Sequence, residues 1–229
     1  MRKFAIVLLL IAAVCPAGCG VVSLLGNPTS FEKKVAAEFN LISRKKQKLL
    51  VLVDQQLWTS TQVDMRYDLT EALDEILASK VKFPAERLVS YSELTKMRSE
   101  KRDFSQLLPV EQAKALSVDL ILLVDVEQCY ISCIAETGCC GGYLFARAAL
   151  YDTAWDDRLW PETAEYRDVT IGFDIEPDGP DAAVKRLAKG AAHCISRYFY
   201  DCPKAGFKIS DDKSGEGWQN WNNEKGFGD

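Results

Sequence analysis

Histidine is almost absent: His193 is the only one in 229 residues. A Ser-His-Asp or Cys-His system therefore has a single candidate base, and His193, expected on the polar helix face near Arg186, Lys189 and Arg197, points in a different direction from its neighbour Cys194. Long hydrophobic runs are missing too. A spanning helix needs roughly 20 apolar residues, and the longest run, residues 4–14, is too short and is closed by Pro16 and Gly18. There is no Cys-x-x-Cys redox pair. Gly138 and Gly141-Gly142 lack the flanking pattern of a phosphate loop. Positive charge is in deficit, with 28 Lys+Arg against 33 Asp+Glu. No concentrated basic stripe exists to follow a phosphate backbone, which excludes nucleic acid as a partner.

What is present begins at the amino terminus. Arg2 and Lys3 precede the apolar run, and Cys15-Pro16-Ala17-Gly18-Cys19-Gly20 follows it. A basic start, a short apolar segment and small residues before a cysteine are the parts of a bacterial secretion signal. Ala17-Gly18-Cys19 resembles a lipobox, which implies cleavage before Cys19 and diacylglycerol on its sulfur. An ordinary signal peptide cut after Ala17 is the alternative reading. Loss of residues 1–18 removes Arg2 and Lys3 and takes the formal charge from −5 to −7. Gly20, in place of an Asp, directs the expectation to the outer membrane and its periplasmic side.

Residues 20–46 contain Gly26-Asn27-Pro28 and the basic cluster Arg44-Lys45-Lys46, and read as spacer, with a short helix possible over 30–38. The run Leu49-Leu50-Val51-Leu52-Val53 is the pattern of a strand buried on both faces, and residues 120–126 repeat it. Between them, Met65, Leu69, Ala72, Leu73, Ile76 and Leu77 recur at helical spacing. Residues 87–89 make a short strand, Ser90 and Glu93 have capping-box spacing for the helix after it, and Pro109 suits an early helix position before residues 110–116. Later, residues 143–151 alternate, with Leu144, Ala146, Ala148 and Leu150 on one side and Phe145, Arg147 and Ala149 on the other. Residues 169–175 form a further strand, with a hairpin partner expected at residues 158–160, and a final helix runs from Pro180 to about residue 200. The expected fold is a single α/β domain over residues 47–203. Its mixed sheet is parallel at first and antiparallel later, with helices packed on it. Residues 204–229, rich in Gly, Asn, Asp and Lys, have the composition of a disordered tail.

Three features carry a resemblance: the order of elements, the approach Gln112-Ala113-Lys114-Ala115-Leu116-Ser117-Val118-Asp119 to a buried strand, and the run Ala148-Ala149-Leu150-Tyr151-Asp152. Over roughly residues 48–200 the chain resembles a broad lipoprotein group. That group includes the curli-secretion channel lipoproteins, the outer-membrane activators of penicillin-binding proteins and the amino-terminal domain of the Tol–Pal translocation protein. The chain departs from it at Ser117-Val118, where the group often has Gly or Ala, and in its cysteine-rich insertion. The resemblance implies a non-enzymatic envelope protein, with no cofactor, that binds other envelope proteins or itself.

Of eight cysteines, Cys15 and Cys19 belong to the signal. Cys129, Cys133, Cys139, Cys140, Cys194 and Cys202 remain, and in an oxidising compartment they read first as disulfides. A hairpin turning at residues 135–138 would place Cys133 opposite Cys139 or Cys140. The alternative is a metal or thiol-redox centre on these same cysteines, although their spacing lacks the paired pattern zinc favours. Asp54, Asp119, Asp125 and Asp152 fall at strand ends, where they serve turns or could converge on a cation. Trp155, Trp160 and Tyr166 form a candidate interaction face, since aromatic residues concentrate at interfaces.

Overall fold

A short strand opens the fold. The computed structural model describes residues 34–56 and 63–203, and in it β1 (Lys34–Val35) pairs antiparallel with a second two-residue strand near the other end of the domain. The apolar run then forms β2 (Leu49–Gln55), whose first five residues are all buried. The amphipathic segment becomes α1 (Arg66–Ile76), continued by one π-helical turn over Leu77–Val81. β3 (Leu88–Val89) leads into α2 (Tyr91–Glu100), where Ser90 Oγ accepts from the Glu93 amide at 3.2 Å. Glu93 does not complete a capping box, because its carboxylate accepts from Lys48 Nζ at 3.2 Å. α3 (Pro109–Ala115) starts on its proline and precedes the long β4 (Leu120–Cys133). The remaining elements are β5 (Cys140–Asp152), β6 (Asp157–Trp160), β7 (Arg167–Glu176), α4 (Pro180–Ser196) and β8 (Cys202–Pro203), the partner of β1.

The main sheet runs β3-β2-β4-β5-β6, with β7 also on β5. β2 is parallel to both β3 and β4, and every later pairing is antiparallel. The mixed α/β sheet read from the sequence is therefore the observed one. One pairing differs: the strand at residues 169–175 does not form a hairpin with residues 158–160. β6 and β7 instead share one edge of β5, β7 alongside Cys140–Ala148 and β6 alongside Leu150–Asp152. β5 is long enough to accept both end to end.

Two apolar layers hold the sheet. Leu49, Val51 and Val53 of β2, with Leu120, Leu122 and Val124 of β4, face α1 and α4. The small side chains of Ala183, Ala188, Ala191 and Ala192 let α4 lie close to that face. Leu50, Leu52 and Ile121 face the opposite way, onto Leu94 of α2 and Ala113 of α3. Burial on both faces explains the unbroken apolar run of β2. Gly142 answers a packing demand as well, because a Cβ there would stand 2.6 Å from Cζ of the buried Phe173 ring.

Residues 34–46 are not spacer but part of the domain. Lys34–Val35 is strand where a helix over 30–38 was expected, and Leu41 is fully buried in the main core. Glu38 and Phe39 amides donate to Tyr198 O at 2.8 and 3.1 Å. Cys19, the signal segment and the tail over 204–229 lie outside the described residues.

Cys133 and Cys140 form a disulfide across the β4–β5 hairpin, closing a loop of sequence separation 7. Chain entropy over so short a loop gives about 2 kcal/mol. Reduction with dithiothreitol is expected to lower Tm by several degrees in a thermal melt, and Cys133→Ser should reproduce that loss without reductant.

Candidate interaction face

α2 and α3 do not cover the whole second face of the sheet. The apolar cluster they build ends at Ile121, Leu123 and Tyr151. Past that point the hairpin of β4 and β5 continues, and its residues on this face are only half-buried: Asp125, Glu127, Tyr143, Phe145 and Arg147, with Tyr130 43% exposed. The strand register makes the face continuous, with Tyr130 opposite Tyr143, Gln128 opposite Phe145 and Asp125 opposite Arg147. On the other side of β5, Thr170 and Asp168 of β7 stand beside Phe145 and Arg147.

A β-bulge shapes the middle of this face. Val126 and Gln128 oppose the consecutive residues Ala146 and Phe145, so Glu127 is the extra residue. The bulge lets Glu127 as well as Asp125 reach the Arg147 guanidinium, the latter at 3.4 Å. Tyr166 lies across the same guanidinium, its ring centre 5.2 Å from Cζ. Burial holds the Asp125 carboxyl above the usual carboxylate range, Arg147 pulls it back, and Asp54 and Glu127 push it further up. Burial, with Tyr166 beside it, also raises the Tyr151 phenol to about 12. Two carboxylates on one arginine, with Asp54 in register beside Asp125, leave the patch acidic, rimmed by aromatic rings. A cavity of about 320 Å³ lined by Gln56, Asp125, Val126 and Glu127 adjoins it.

The residues singled out in the sequence are distributed differently. Trp155, Trp160 and Tyr166 do not form one face: Trp155 is 78% exposed, whereas Trp160 is 1% exposed and belongs to the main core. Its ring packs on Phe199 and Tyr198 at centroid distances of 4.9 and 5.4 Å. Of the three, Tyr166 alone contributes to the acidic–aromatic patch. The alternation of residues 143–151 held the signal for this patch, because Phe145 and Arg147 stand opposite the fully apolar side.

The four aspartates split into two pairs at opposite ends of β2, and Asp125 lies within the long β4, not at a strand end. Asp54 is in register with Asp125, and Asp152 is in register with Leu120 beside Asp119. Asp119 and Asp152 are turn residues: Asp119 Oδ2 accepts from the Lys48 amide at 2.7 Å, and Asp152 Oδ1 from Ala154 at 2.9 Å.

The cysteine set also separates. The bridge takes Cys133 and Cys140, whereas Cys129, Cys194 and Cys202 are buried and Cys139 is half-buried. Burial pushes the Cys129 thiol up to about 12, which leaves it unreactive. Cys202 Sγ donates to Tyr200 Oη at 3.3 Å. Among the described residues no group of three or more His, Cys, Asp or Glu could hold a metal. His193 is not on a polar helix face with Arg186 and Lys189. It is 7% exposed, and burial, aided by Arg197 and Lys80, pushes its pKa down to about 4.

No protein-family model and no curated protein matches the chain. Among solved structures it is similar to the lipoprotein GNA1162 from Neisseria meningitidis, at 13% identity and a TM-score of 0.38 over 66% of this chain and 98% of that one. It is also similar to the LpoB C-terminal domain from Salmonella enterica, at 14% identity and TM-score 0.34 over 61% and 86% of the two chains. A third is the PelC dodecamer from Paraburkholderia phytofirmans, at 11% identity and TM-score 0.38 over 73% and 94%. At these identities and scores the likeness is loose and concerns the fold.

Proposed function

We propose that this chain is a non-enzymatic lipoprotein of the bacterial envelope, held on the periplasmic side of the outer membrane by a lipidated Cys19. Its α/β domain docks another envelope protein on the open face of β4, β5 and β7. The observation that carries the docking reading is the uncovered patch of Tyr130, Tyr143, Phe145 and Tyr166 around Asp125, Glu127 and Arg147. A face that mixes aromatic rings with acidic groups suits a protein partner bearing basic and apolar side chains. It does not suit an anionic lipid surface, which would be repelled. Residues 20–33 serve as the tether, and residues 204–229 as a tail beyond the domain.

Two measurements test the reading. Cell fractionation should place the wild-type chain with membranes and Cys19→Ala in the soluble envelope fraction; identical soluble behaviour of both removes the anchor. A photo-crosslinking side chain at position 130 should capture one defined envelope protein in intact cells. Phe145→Lys should abolish that capture while leaving the fold intact by circular dichroism. Recovery of monomer alone from position 130 would remove the docking face.

A further inference from the structure

The end of the sheet opposite the β4–β5 turn carries two turns that hold side chains out from the domain. The first leads into β2. Leu41 is fully buried and fixes a 3-10 turn over Leu41–Arg44, in which Asn40 Oδ1 accepts from the Ser43 amide at 3.3 Å and Ser43 Oγ donates to Asn40 O at 2.7 Å. That anchoring presents Ile42, 37% exposed, followed by a half-buried Arg44 and the exposed Lys45 and Lys46. No ion pair among the described residues takes any of these three cations. The second turn follows β5. Thr153 Oγ1 donates to Val118 O at 2.6 Å, and just beyond it Trp155 stands 78% exposed.

Both turns lie beside the start of β4. Lys48 O accepts from the Asp119 and Leu120 amides at 3.0 and 2.9 Å, and Asp152 is in register with Leu120 on the other side. Two strand spacings, about 10 Å, separate the chains that carry the turns. The chain from the amino terminus enters near this end as well, since Glu38 accepts from the Trp160 indole on β6, which runs alongside the last residues of β5. An exposed tryptophan, an exposed isoleucine and three cations outside any ion pair thus share the end of the domain that the tether reaches.

That combination matches a layer of lipid headgroups. An indole is favoured at the membrane–water interface, and cations are favoured beside lipid phosphates. Asp156 and Asp157, exposed beside Trp155, offset part of the attraction, so the surface is too weak to hold a free protein. A tethered domain needs less. Residues 20–33 span about 20 Å as a flexible chain, which keeps this end at a high local concentration of headgroups. We propose, on the reading that Cys19 is lipidated, that this end of the domain rests on its own membrane, with Trp155 and Ile42 at the interface and Arg44, Lys45 and Lys46 on lipid phosphates. Tyr130, far along β4 from Leu120, then stands about 30 Å above the surface. The acidic face is thereby held clear of anionic headgroups.

The lipidated full chain, reconstituted into vesicles of phosphatidylethanolamine and phosphatidylglycerol, tests this contact. An aromatic photo-crosslinking side chain at position 155 should attach to lipid at least about fivefold more than the same side chain at position 130. Lys45→Glu with Lys46→Glu, on two exposed positions, should lower the yield at position 155 by at least about fivefold and leave the circular dichroism spectrum unchanged. Flotation of the same samples reads the anchor separately. A chain that floats but gives equal lipid yields from the two positions, or a yield at position 155 indifferent to the charge reversal, would overturn the contact and leave the anchor standing. A wild-type chain that does not float removes the anchor and the contact with it.

Discussion

Asp74→Asn stabilises the protein at pH 8 by about 2–3 kcal/mol and leaves its stability at pH 4 almost unchanged. Asp74 sits on α1 with Oδ1 buried and without a hydrogen-bond partner among the described residues. Burial, then the like charge of Glu71 one turn earlier, raises its pKa to about 7. The folded value is above the unfolded one, so the folded state is favoured at low pH, where the carboxyl is neutral in both states. That advantage is lost as pH rises from about 4 through 7. About three pH units correspond to about 4 kcal/mol, and partial exposure of the side chain reduces this to the expected figure. His193 acts in the opposite sense. Its folded value, about 4, is below the ordinary 6.5, so stability falls as the unfolded imidazole protonates between 6.5 and 4. In the wild type the two slopes nearly cancel over that window. In Asp74→Asn only the histidine slope remains, and urea unfolding at pH 4, 5, 6, 7 and 8 should show stability declining toward pH 4. A wild-type profile parallel to that of the variant would contradict the Asp74 assignment, and a variant profile flat from pH 4 to 8 would contradict that of His193.

The parts of the fold legible in the sequence are those whose burial is periodic and local. The five apolar residues at 49–53 announce a strand covered on both faces, and α1 announces its single buried stripe. Pairing partners are a different matter. Residues 158–160 and 169–175 look like a hairpin because they are close in sequence, yet both dock end to end on β5, which runs from the Cys133–Cys140 bridge to Asp152. Single anchoring residues are equally silent. Leu41 and Glu38 belong to no periodic pattern, so residues 34–46 read as spacer. His193 looked solvent-facing on a helical wheel, but α4 is buried over most of its circumference in its last turns. The open face was half-visible, in the Phe145 and Arg147 side of an alternating strand.

Trp160→Ala is expected to destabilise the domain by about 3–5 kcal/mol, in the range of large aromatic deletions from a core. The indole does more than fill space. It stacks on Phe199 and Tyr198, lies 6.0 Å from Arg167 Cζ, and donates through Nε1 to Glu38 Oε2 at 2.8 Å. Arg167 Nη2 donates to the same Glu38 carboxylate at 2.5 and 2.7 Å. Trp160 therefore joins the end of β6, the turn after α4 and the segment that enters the domain ahead of β2. Removing the ring opens a cavity and also takes a donor from a carboxylate that fastens residues 38–39. Trp160→Phe keeps one aromatic ring but loses the N–H and part of the indole volume, so it should fall between wild type and Trp160→Ala, at about 1–3 kcal/mol. Trp155→Ala, on a residue 78% exposed, should change stability by less than about 0.5 kcal/mol. Urea unfolding orders the three variants. Limited proteolysis adds a local reading: Trp160→Ala should be cleaved within residues 34–46 well before its global unfolding, because this joint lies where the chain from the amino terminus meets the sheet. Cleavage there at the wild-type rate would mean that the segment is held by β1–β8 pairing and Leu41 alone.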